Sequence, residues 1–477
     1  MPHNPDPLAP DQILTVAQMR AAEDALIAAG ASVDALMQTA GRGAADWVWR
    51  LAGRGRVTVL CGPGNNGGDG YVIAEAIRER GAEVVLVAAT EPLTDAARHT
   101  ASLFGGEIRS GQEFLQADAD CHGEVFVDCL FGSGLTRPLT DDHHEILMRL
   151  ASGHRLRIAV DVPSGVESDG GAHLSPDLPR YDLTIALGAW KFAHVLMPAM
   201  AICGALRQVG IGVAEVAGAA QRIAMPRIAP PRTDAHKYRR GMLAVVGGAM
   251  PGASLLACEA AQGAGAGYIK LFAESSVDAP SDLVIDSGAL SDVLTDDRNT
   301  AILVGPGLGR DARARERLAV ALADPVPVVI DADALILLGA RQLSERQEVT
   351  VATPHDGEMA ALERTFDLDG RGTKAERALA LARKSGLVIV AKGPDTLVAA
   401  PDGSLACAPG ATSWLSTAGT GDVLAGVIAS RLSAGTSAFE AACQGVWLHG
   451  EAARRLPPAF RASDLARAIS AALASCL

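Results

Sequence analysis

The sequence predicts an α/β protein made of two successive units. Two glycine-rich segments lie at opposite ends of the chain, residues 62–70 (Gly-Pro-Gly-Asn-Asn-Gly-Gly-Asp-Gly) and residues 417–422 (Thr-Ala-Gly-Thr-Gly-Asp). Each combines bare backbone, whose N–H groups can converge on a phosphate, with one carboxylate. Hydrophobic residues make up 49% of the chain and glycine contributes 51 residues, which is typical of α/β domains with many tight turns. A length of 477 residues accommodates two such domains.

Charge and hydropathy exclude several classes of partner. The net charge of −13 argues against a general nucleic-acid or anionic-membrane surface, so a phosphate site must be local. Residues 1–7 lack the features of a signal peptide, and the longest near-apolar run, residues 192–206, is interrupted by His194 and Pro198. We therefore expect a protein without a membrane span that acts on a small anionic ligand.

The eight cysteines show no metal-binding or disulfide pattern. They lack a CxxC pair and zinc-like spacing with histidine, so we expect buried thiols in a reducing cytoplasm. Their positions are Cys61, Cys121, Cys129, Cys203, Cys258, Cys407, Cys443 and Cys476.

The first half alternates apolar strands with helical segments, which predicts a parallel, doubly wound sheet. Strands are expected at residues 56–61, 83–88, 125–130 and 157–162, with a helix over residues 71–80. Ligands bind at the carboxyl ends of such strands. Asn65, Asp128 and Asp161 all fall there.

A proline-rich segment, residues 222–233, is typical of an extended linker. We place the domain boundary near residue 225, which gives domains 1–225 and 226–477. The α/β pattern then restarts, with strands expected at residues 242–246, 301–304, 326–330, 348–351 and 387–390.

Three segments of the first half can carry chemistry. Asn65, Asn66 and Asp69 add amide and carboxyl groups to the first glycine segment, although a generic glycine turn is the simpler alternative. Residues 131–137 (Phe-Gly-Ser-Gly-Leu-Thr-Arg) offer amides and a guanidinium for phosphate, or a plain crossover loop. Asp161 and Ser164 act on a ligand or only cap a local turn, and the segment alone leaves both interpretations open.

The second half offers a phosphoryl-transfer arrangement. Asp422 precedes an apolar helix and is placed to accept a proton from an attacking hydroxyl, with an N-cap role as the alternative. Residues 392–396 (Lys-Gly-Pro-Asp-Thr) suit a nucleotide, or a plain turn with a solvated lysine. His355 either contacts the ligand or is a surface histidine at a helix start. No Walker A sequence is present, so a P-loop kinase is excluded.

These segments resemble a known family over nearly the whole chain. Residues 62–70, 128–134 and 160–165 are similar to the NAD(P)H-hydrate epimerase domain, which is Rossmann-like. Residues 304–309, 353–359, 392–396 and 417–422 resemble the ribokinase-like, ADP-dependent NAD(P)H-hydrate dehydratase domain. The resemblance implies a bifunctional repair enzyme that interconverts the R and S hydrates of NADH and NADPH at carbon six of the ring. It then dehydrates the S form with ADP, giving AMP and phosphate.

For the first domain, the resemblance implies a catalytic Asp161 and a potassium ion held by Asn66, Asp128 and Ser164. The implied hydrate contacts are Asn65, Asn66, Gly67, Gly68, Asp69, Gly132, Ser133, Gly134, Leu135, Thr136, Arg137, Pro138 and Asp161.

For the second domain, the resemblance implies a catalytic Asp422, with Mg²⁺ accompanying the nucleotide. Its implied hydrate contacts are Ala253, Gly307, His355 and Asp422, and its implied nucleotide contacts are Lys392, Gly393, Pro394, Asp395, Thr396 and Gly421. A cytoplasmic homo-oligomer that acts on small molecules, without nucleic acid or membrane, is expected.

The chain departs from the family at one position, and two alternative functions stay open. Tyr238 stands where the family has a glycine, so the turn into the second domain is expected to differ if that glycine needs a positive φ. The second half could instead be a small-molecule kinase, since the same loop and Asp422 would transfer a terminal phosphate. The first half could be a partner-binding module.

Overall fold

The computed structural model describes residues 11–116, 122–273, 278–344 and 346–477. The chain separates into two compact units, Met1–Gln221 and Arg222–Leu477. The division falls close to the linker that the proline-rich segment predicts.

The first unit consists of nine strands and six helices within its described residues. The strands are β1 (Gln12–Ile13), β2 (Val57–Cys61), β3 (Val84–Ala88), β4 (Ile108–Ser110), β5 (Gly123–Cys129), β6 (His154–Val160), β7 (Leu183–Leu187), β8 (Ala205–Val209) and β9 (Ala220–Arg222). The helices are α1 (Val16–Ala28), α2 (Val33–Ala52), α3 (Asn65–Glu79), α4 (Asp95–Leu103), α5 (Gly111–Gln116) and α6 (Asp141–Gly153).

Seven strands of the first unit form the parallel sheet that the sequence predicts. Their order is β4-β3-β2-β5-β6-β7-β8, and every neighbouring pair is parallel. The chain leaves β2 in one direction and returns to β5 on its other side, so the strand order reverses between these two strands. Such a switch point opens a crevice at the carboxyl ends of the strands.

Helix α3 begins earlier than expected, because the first glycine segment is helical. Its first two turns contain Gly67, Gly68 and Gly70, and the glycines permit close packing. A Cβ at Gly67 would lie 1.9 Å from the Gly62 carbonyl oxygen, and one at Gly70 would lie 2.7 Å from Cys61 Sγ. The predicted loop over residues 62–70 is therefore wrong in part: the segment is a helix N-terminus pressed against the end of β2.

The second unit continues with a further set of strands and helices. The strands are β10 (Met242–Val246), β11 (Tyr268–Phe272), β12 (Val284–Asp286), β13 (Ala301–Val304), β14 (Val328–Ile330), β15 (Thr350–Ala352), β16 (Val388–Ala391), β17 (Leu397–Ala399) and β18 (Leu405–Cys407). The helices are α7 (Pro251–Gly263), α8 (Leu290–Leu294), α9 (Ala312–Ala323), α10 (Asp333–Leu337), α11 (Arg341–Ser344), α12 (Asp356–Thr365), α13 (Lys374–Ser385), α14 (Thr420–Ser433), α15 (Ala438–Arg455) and α16 (Ala462–Ala474).

The sheet of the second unit is parallel in its centre and antiparallel at one end. Its strands follow the order β18-β17-β16-β15-β14-β13-β10-β11-β12, with β16, β17 and β18 antiparallel. The order reverses between β10 and β13, so their carboxyl ends form a second switch point. Glycine-rich segments at residues 247–248 and 305–309 follow these two strands directly.

Helix α14 is buried and packs on α7 at very short range. A Cβ at Gly426 would lie 2.1 Å from the carbonyl oxygen of Ala257 in α7, so only glycine fits there. This close approach fixes the N-terminus of α14, and with it residues 417–422, at the edge where the parallel strands end.

The nine strands predicted from sequence all occur, with ends that shift by no more than three residues. Within the described ranges, no helix has the length and apolarity needed to cross a membrane. The α/β class is confirmed for both units.

Candidate active sites

A cavity of about 630 Å³ lies at the switch point of the first unit. This volume is within the range of small-molecule sites. Many of the residues expected at the hydrate line the cavity, namely Asn65, Asn66, Asp69, Gly132, Ser133, Gly134, Leu135, Thr136, Arg137 and Asp161. Gly67, Gly68 and Pro138 are not in the lining.

Asp161 follows β6 and holds its carboxylate at the cavity. Its backbone is left-handed, with φ of 67°, which is uncommon for a residue other than glycine. Asp161 Oδ2 accepts a hydrogen bond from Ser133 N at 2.9 Å, and Oδ1 lies 2.5 Å from Lys191 Nζ. These contacts link Asp161 to two distant segments, so the alternative of a purely local cap is wrong.

The charge on Asp161 is stabilised by its neighbours. Burial acts to raise the pKa of the carboxyl, but the Lys191 ammonium and the Ser133 N–H outweigh it and hold the pKa below its ordinary value. Asp161 is therefore an ionised carboxylate at neutral pH and can act as a base.

His194 braces both members of this ion pair through their backbones. Lys191 N donates to His194 Nδ1 at 3.0 Å, while His194 Nε2 lies 2.7 Å from the Asp161 carbonyl oxygen. Because a carbonyl oxygen only accepts, Nε2 carries the proton and Nδ1 is the acceptor. Burial, with the Lys191 charge, lowers the pKa of His194 to about 4, so the ring is neutral.

Two further carboxyl groups face the same cavity. Burial raises the pKa of Asp69 well above its ordinary value, with the negative charges of Asp161 and Glu23 adding to the effect. Burial also raises the pKa of Glu23, which lies on α1. One cavity thus contains a carboxyl group whose pKa is lowered beside two whose pKa values are raised, an arrangement typical of acid–base sites.

Two of the residues expected to hold potassium, Asp128 and Ser164, are buried and hydrogen-bonded to each other, while the third, Asn66, lines the cavity. Asp128 accepts hydrogen bonds from Ser164 Oγ at 2.7 Å, from Ser164 N and Leu130 N at 3.1 Å, and from the Tyr181 hydroxyl. Burial nevertheless raises the pKa of Asp128. The side-chain amide of Asn66 is buried and makes no hydrogen bond. An amide oxygen without a hydrogen-bond partner and a buried carboxylate are the kinds of oxygen ligand that a hard cation takes.

In the second unit, charged side chains converge at the carboxyl ends of β14, β15 and β16. Lys392 Nζ lies 2.7 Å from Asp331 Oδ1 and 3.8 Å from Glu358 Oε2. Thr353 Oγ1 donates to the same Asp331 oxygen at 2.6 Å. Lys392 directly follows β16, at the start of the turn into β17. The alternative of a solvated lysine is wrong because the Lys392 ammonium is paired with Asp331.

Asp422 lies in the first turn of α14, three residues after the N-cap. The N-cap is Gly419, with φ of 92°, so an N-cap role for Asp422 is wrong. Burial, together with the charge of Asp331, raises the pKa of Asp422 to about 6, although Lys392 acts in the opposite direction. A Cβ at Gly421 would lie 3.5 Å from Lys392 Nζ, which places the ammonium beside the amides of this turn.

Ala253 and Gly307 meet at the second switch point. Met250 N donates to the Gly307 carbonyl oxygen at 2.9 Å, and a Cβ at Gly307 would lie 3.2 Å from that of Ala253. Gly307 has φ of 68°. A neighbouring cavity of about 280 Å³ is lined by Gly248 and Leu308.

His355 and residues 393–396 have defined local roles. His355 is the N-cap of α12, since its Nδ1 accepts from Gly357 N and Glu358 N, and its side chain is 62% exposed. Gly393 and Thr396 close a turn into antiparallel β17 through a 2.7 Å hydrogen bond from Thr396 Oγ1 to the Gly393 carbonyl oxygen. Asp395 lies 2.5 Å from Lys374 Nζ.

Comparisons with known proteins assign both units. Residues 33–193 match a family model described as YjeF-related protein N-terminus, and residues 243–475 match one described as NAD(P)H-hydrate dehydratase. A bifunctional NAD(P)H-hydrate repair enzyme from Salinibacter ruber is 33% identical, over 95% of this chain and 94% of the relative. The chain belongs to the bifunctional NAD(P)H-hydrate repair enzymes.

Two further relatives extend the comparison. The repair enzyme from Escherichia coli is 31% identical over 84% of this chain and 81% of its own length. A solved ADP/ATP-dependent NAD(P)H-hydrate dehydratase from Bacillus subtilis, co-crystallised with ATP and Mg²⁺, is 26% identical. The match covers 53% of this chain and 95% of the Bacillus subtilis chain, with a TM-score of 0.47.

As a member of this family, the protein repairs hydrated NADH and NADPH and carries an epimerase and a dehydratase activity. It acts on small molecules. The bifunctional repair activity that the family resemblance implies is confirmed.

Several side chains at the sites were missed by sequence reasoning. Lys191 directly precedes the near-apolar run of residues 192–206, and His194 lies within it. The run by itself points only to a candidate membrane segment. Asp331 directly follows strand β14, so the same strand-end rule that selects Asp161 would have found it. Glu358 lies in the first turn of α12, six residues after β15.

The turn into the second unit accommodates Tyr238 without strain. Tyr238 lies in a short 3₁₀ helix, Lys237–Arg240, and the positive φ falls on Gly241, at 98°. Its ring contacts the rings of His236 and Tyr268, and the Arg298 guanidinium lies over it. Tyr238 itself has no positive φ, so this turn does not require glycine at position 238.

Proposed function

We propose that residues 1–225 epimerise the hydrate in the Asp161 cavity and that residues 226–477 dehydrate the S form at Asp422. One observation supports both roles. In each unit a carboxylate lies next to an ammonium where parallel strands end, Asp161 beside Lys191 and Asp422 near Lys392. Such a pairing suits proton transfer to and from a ring hydroxyl.

In the first unit, the hydrate occupies the cavity described above. The amides and the Arg137 guanidinium of residues 132–138 bind its phosphates, and Asn65 to Asp69 contact the remainder. Asp161 faces the hydrated ring and removes the hydroxyl proton.

Potassium is proposed at Asn66, Asp128 and Ser164. The unpartnered Asn66 amide and the buried Asp128 carboxylate supply oxygen ligands, and a bound cation would offset the buried negative charge. Asp128→Ala should abolish any K⁺ dependence of ligand affinity, measured by titration in K⁺ and in Na⁺ buffers. An affinity independent of K⁺ in the unmodified protein would contradict this assignment.

In the second unit, ADP is the phosphoryl donor. Lys392, Gly393, Pro394, Asp395, Thr396 and Gly421 hold the nucleotide, and Ala253, Gly307, His355 and Asp422 contact the hydrate. Asp422 takes the hydroxyl proton, the oxygen attacks the terminal phosphorus of ADP, and AMP leaves. Phosphate and a ring proton then depart, which restores the dihydropyridine. The amides at the start of α14 stabilise the phosphoryl group in transfer.

Mg²⁺ is expected with the nucleotide. Among the described residues, no three His, Cys, Asp or Glu side chains are grouped to hold a metal ion by themselves. The carboxylates of Asp331 and Glu358 near Lys392 are hard oxygen donors, and Mg²⁺ is often held by one or two carboxylates plus substrate phosphates. When bound, the ion would neutralise charge on those phosphates.

The decisive experiment supplies the purified protein with hydrated NADH and ADP. Regeneration of the near-ultraviolet absorbance of NADH, with AMP and phosphate in equal amounts, is the expected result. A stably phosphorylated alcohol without NADH formation would favour the kinase alternative. Parallel reactions with ATP compare the two nucleotides.

The compartment and assembly are also proposed. Every cysteine in the described ranges is a free thiol, which supports a reducing cytoplasm. A homo-oligomer is expected, and light scattering of the purified chain measures its mass.

A further inference from the structure

Lysine is scarce in this chain, and its placement is informative. Only six of the 42 lysine and arginine residues are lysine, and Lys191 is the single lysine in residues 1–221. Arginine cannot give up a proton under physiological conditions, whereas an ammonium can. Lys191 is therefore the one side chain among the lysines and arginines of residues 1–221 that can transfer a proton, and it lies beside Asp161.

The Lys191 ammonium is buried and oriented. The residue is 1% exposed, and its Nζ donates to the Leu187 carbonyl oxygen at 2.6 Å and lies 2.5 Å from Asp161 Oδ1. An ammonium has three N–H groups, so two partners leave one proton available. Lys191, Leu187 and Asp161 all line the cavity, so this proton is available to a ligand there.

A structural role alone explains this arrangement poorly. A buried ion pair contributes little net stability compared with apolar side chains of the same volume, because both charges lose their hydration. The pair is braced by His194 and lies at a cavity large enough for a ligand, which indicates a function in that cavity.

The chemistry of the hydrate requires an acid as well as a base. Carbon six carries the hydroxyl and is bonded to the ring nitrogen, so it is a hemiaminal carbon. Its configuration can invert only if one of these bonds breaks and forms again on the other face. Opening of the ring removes a proton from the hydroxyl and adds one to the nitrogen.

We propose that Lys191 is the catalytic acid of the epimerase and works with Asp161 as the base. This inference rests on the proposed epimerase site. Asp161 takes the hydroxyl proton, the oxygen forms a carbonyl, and the carbon–nitrogen bond breaks with its electron pair on nitrogen. Lys191 gives a proton to that nitrogen. After rotation of the aldehyde, the nitrogen returns its proton to Lys191 and attacks the other carbonyl face, and Asp161 returns its proton to the oxygen.

The test uses the full chain and the purified R hydrate, with chromatographic separation of R and S. Lys191→Ala should slow epimerisation by about 10²- to 10⁴-fold, the usual contribution of a positioned acid. Dehydration of the S hydrate by the same molecules reports whether the chain is folded. Should the alanine variant fail to fold, Lys191→Met retains the side-chain volume and should show the same loss. Activity within about threefold of the unmodified enzyme in a folded variant would overturn the proposal, since a positioned acid contributes far more than that.

Rescue with small amines separates proton donation from charge. Methylammonium added to Lys191→Ala should restore part of the rate, whereas tetramethylammonium, which carries the charge without a proton, should not. Equal rescue by both ions would show that Lys191 supplies charge only and would refute the acid role. Lys270→Met is a matched control, since Lys270 is a partly buried lysine 3.4 Å from Asp286 and Asp296, outside both sites. Its epimerisation rate should be unchanged and insensitive to methylammonium.

Asp161→Asn distinguishes failure of this inference from failure of the proposed function. If Asp161→Asn retains epimerisation, the epimerase site itself is misassigned. If Asp161→Asn loses the activity while Lys191→Ala retains it, only the acid assignment fails.

Discussion

At the scale of single residues, the surroundings of Asp161 and Asp422 move their acidities in opposite directions. The Lys191 ammonium 2.5 Å away keeps Asp161 ionised against its burial. Asp422 is partly buried near Asp331 and Asp333, and Lys392 compensates only in part, so its pKa rises to about 6. A carboxyl with a pKa close to neutrality is a better proton acceptor for a weakly acidic hydroxyl than an ordinary aspartate.

The dehydratase should therefore lose activity as the pH falls through about 6. The proposed mechanism requires Asp422 in its ionised form, so kcat/KM for the S hydrate should fall about tenfold per pH unit below its pKa. Initial rates between about pH 5 and pH 8 measure this limb. The charged groups that face Asp422 are Asp331, Asp333 and Lys392.

Asp422→Asn tests the same role without changing the side-chain shape. The variant should lower kcat by about 10²- to 10⁴-fold, while Asp369→Asn, on an exposed carboxylate, serves as the control. A flat profile across this range in the unmodified enzyme would remove Asp422 from the rate-limiting proton transfer.

Sequence reasoning located the two carboxylates and missed their cationic partner in the first unit. Asp161 and Asp422 belong to short motifs that contain their own signal of strand end or glycine turn. Lys191 is thirty positions from Asp161 and stands beside an apolar run, so only the pairing of β6 with β7 brings the two together. Lys392 was found because it follows its strand directly.

At the scale of elements, glycines on the packed faces of α3 and α14 set the geometry of both sites. Gly67 and Gly70 allow α3 to contact the end of β2, and Gly426 allows α14 to contact α7. Glycine lowers the stability of a helix, and the close packing that it permits offsets this cost. The packing also fixes each helix N-terminus at the edge of the sheet where the parallel strands end.

Gly426→Ala should destabilise the second unit by about 1–3 kcal/mol. Alanine is the better helix former by about 1 kcal/mol, but its Cβ would lie 2.1 Å from the Ala257 carbonyl oxygen and force the helices apart. Urea denaturation, with the loss of dehydratase activity as the probe of unfolding, measures the effect. Gly252→Ala is the matched control in α7, because a Cβ there meets nothing within 4 Å, and it should stabilise slightly. Equal responses of the two variants would refute the packing argument.

The elements themselves were predicted where local patterns were strong. Nine strands with clear apolar runs were predicted, and the other nine were missed. Six of the missed strands are only two or three residues long, which leaves little room for a pattern. The missed strands are β1, β4, β7, β8, β9, β11, β12, β17 and β18. The start of α3 was misplaced because glycine is usually a helix breaker, and the packing that stabilises this helix involves residues distant in sequence.

At the scale of the whole molecule, each of the two sheets reverses its strand order once near a site. The order reverses between β2 and β5 in the first unit and between β10 and β13 in the second. The strand order depends on crossovers, which local sequence patterns do not encode. The sequence therefore predicted two sheets and their ligand edges, but not which strands are neighbours.

Single substitutions should separate the two activities. Asp161→Asn should abolish interconversion of the R and S hydrates while dehydration of the S hydrate continues at its normal rate, and Asp422→Asn should have the opposite effect. Chromatography of each reaction from pure R and pure S substrate measures both. Loss of both activities from either variant would contradict the assignment of one reaction to each carboxylate.

Each unit also contains a histidine whose pKa is lowered to about 4, the buried His194 and the partly buried His449, and such a shift makes stability depend on pH. In the second unit, His449 Nε2 donates to the Thr420 carbonyl oxygen at 2.9 Å, and burial lowers its pKa to about 4. The unfolded chain binds this proton first, near pH 6.5, so the folded state loses stability as the pH falls from about 6.5 to about 4.

His449→Gln should remove this dependence from the second unit. The stability advantage of the unmodified protein over the variant should shrink by about 3 kcal/mol between about pH 7 and pH 4. Urea unfolding of both proteins at a series of pH values measures it, and His99→Gln, at an exposed histidine, is the control. An advantage that stays constant with pH would contradict a neutral ring.

The left-handed backbone of Asp161, with φ of 67°, limits what a saturation library at this position can return. Glycine and asparagine tolerate this conformation, whereas β-branched residues do not. A screen for expression alone should thus enrich the substitutions Asp161→Gly and Asp161→Asn. A screen for epimerase activity should instead return aspartate, the residue proposed to act as the base.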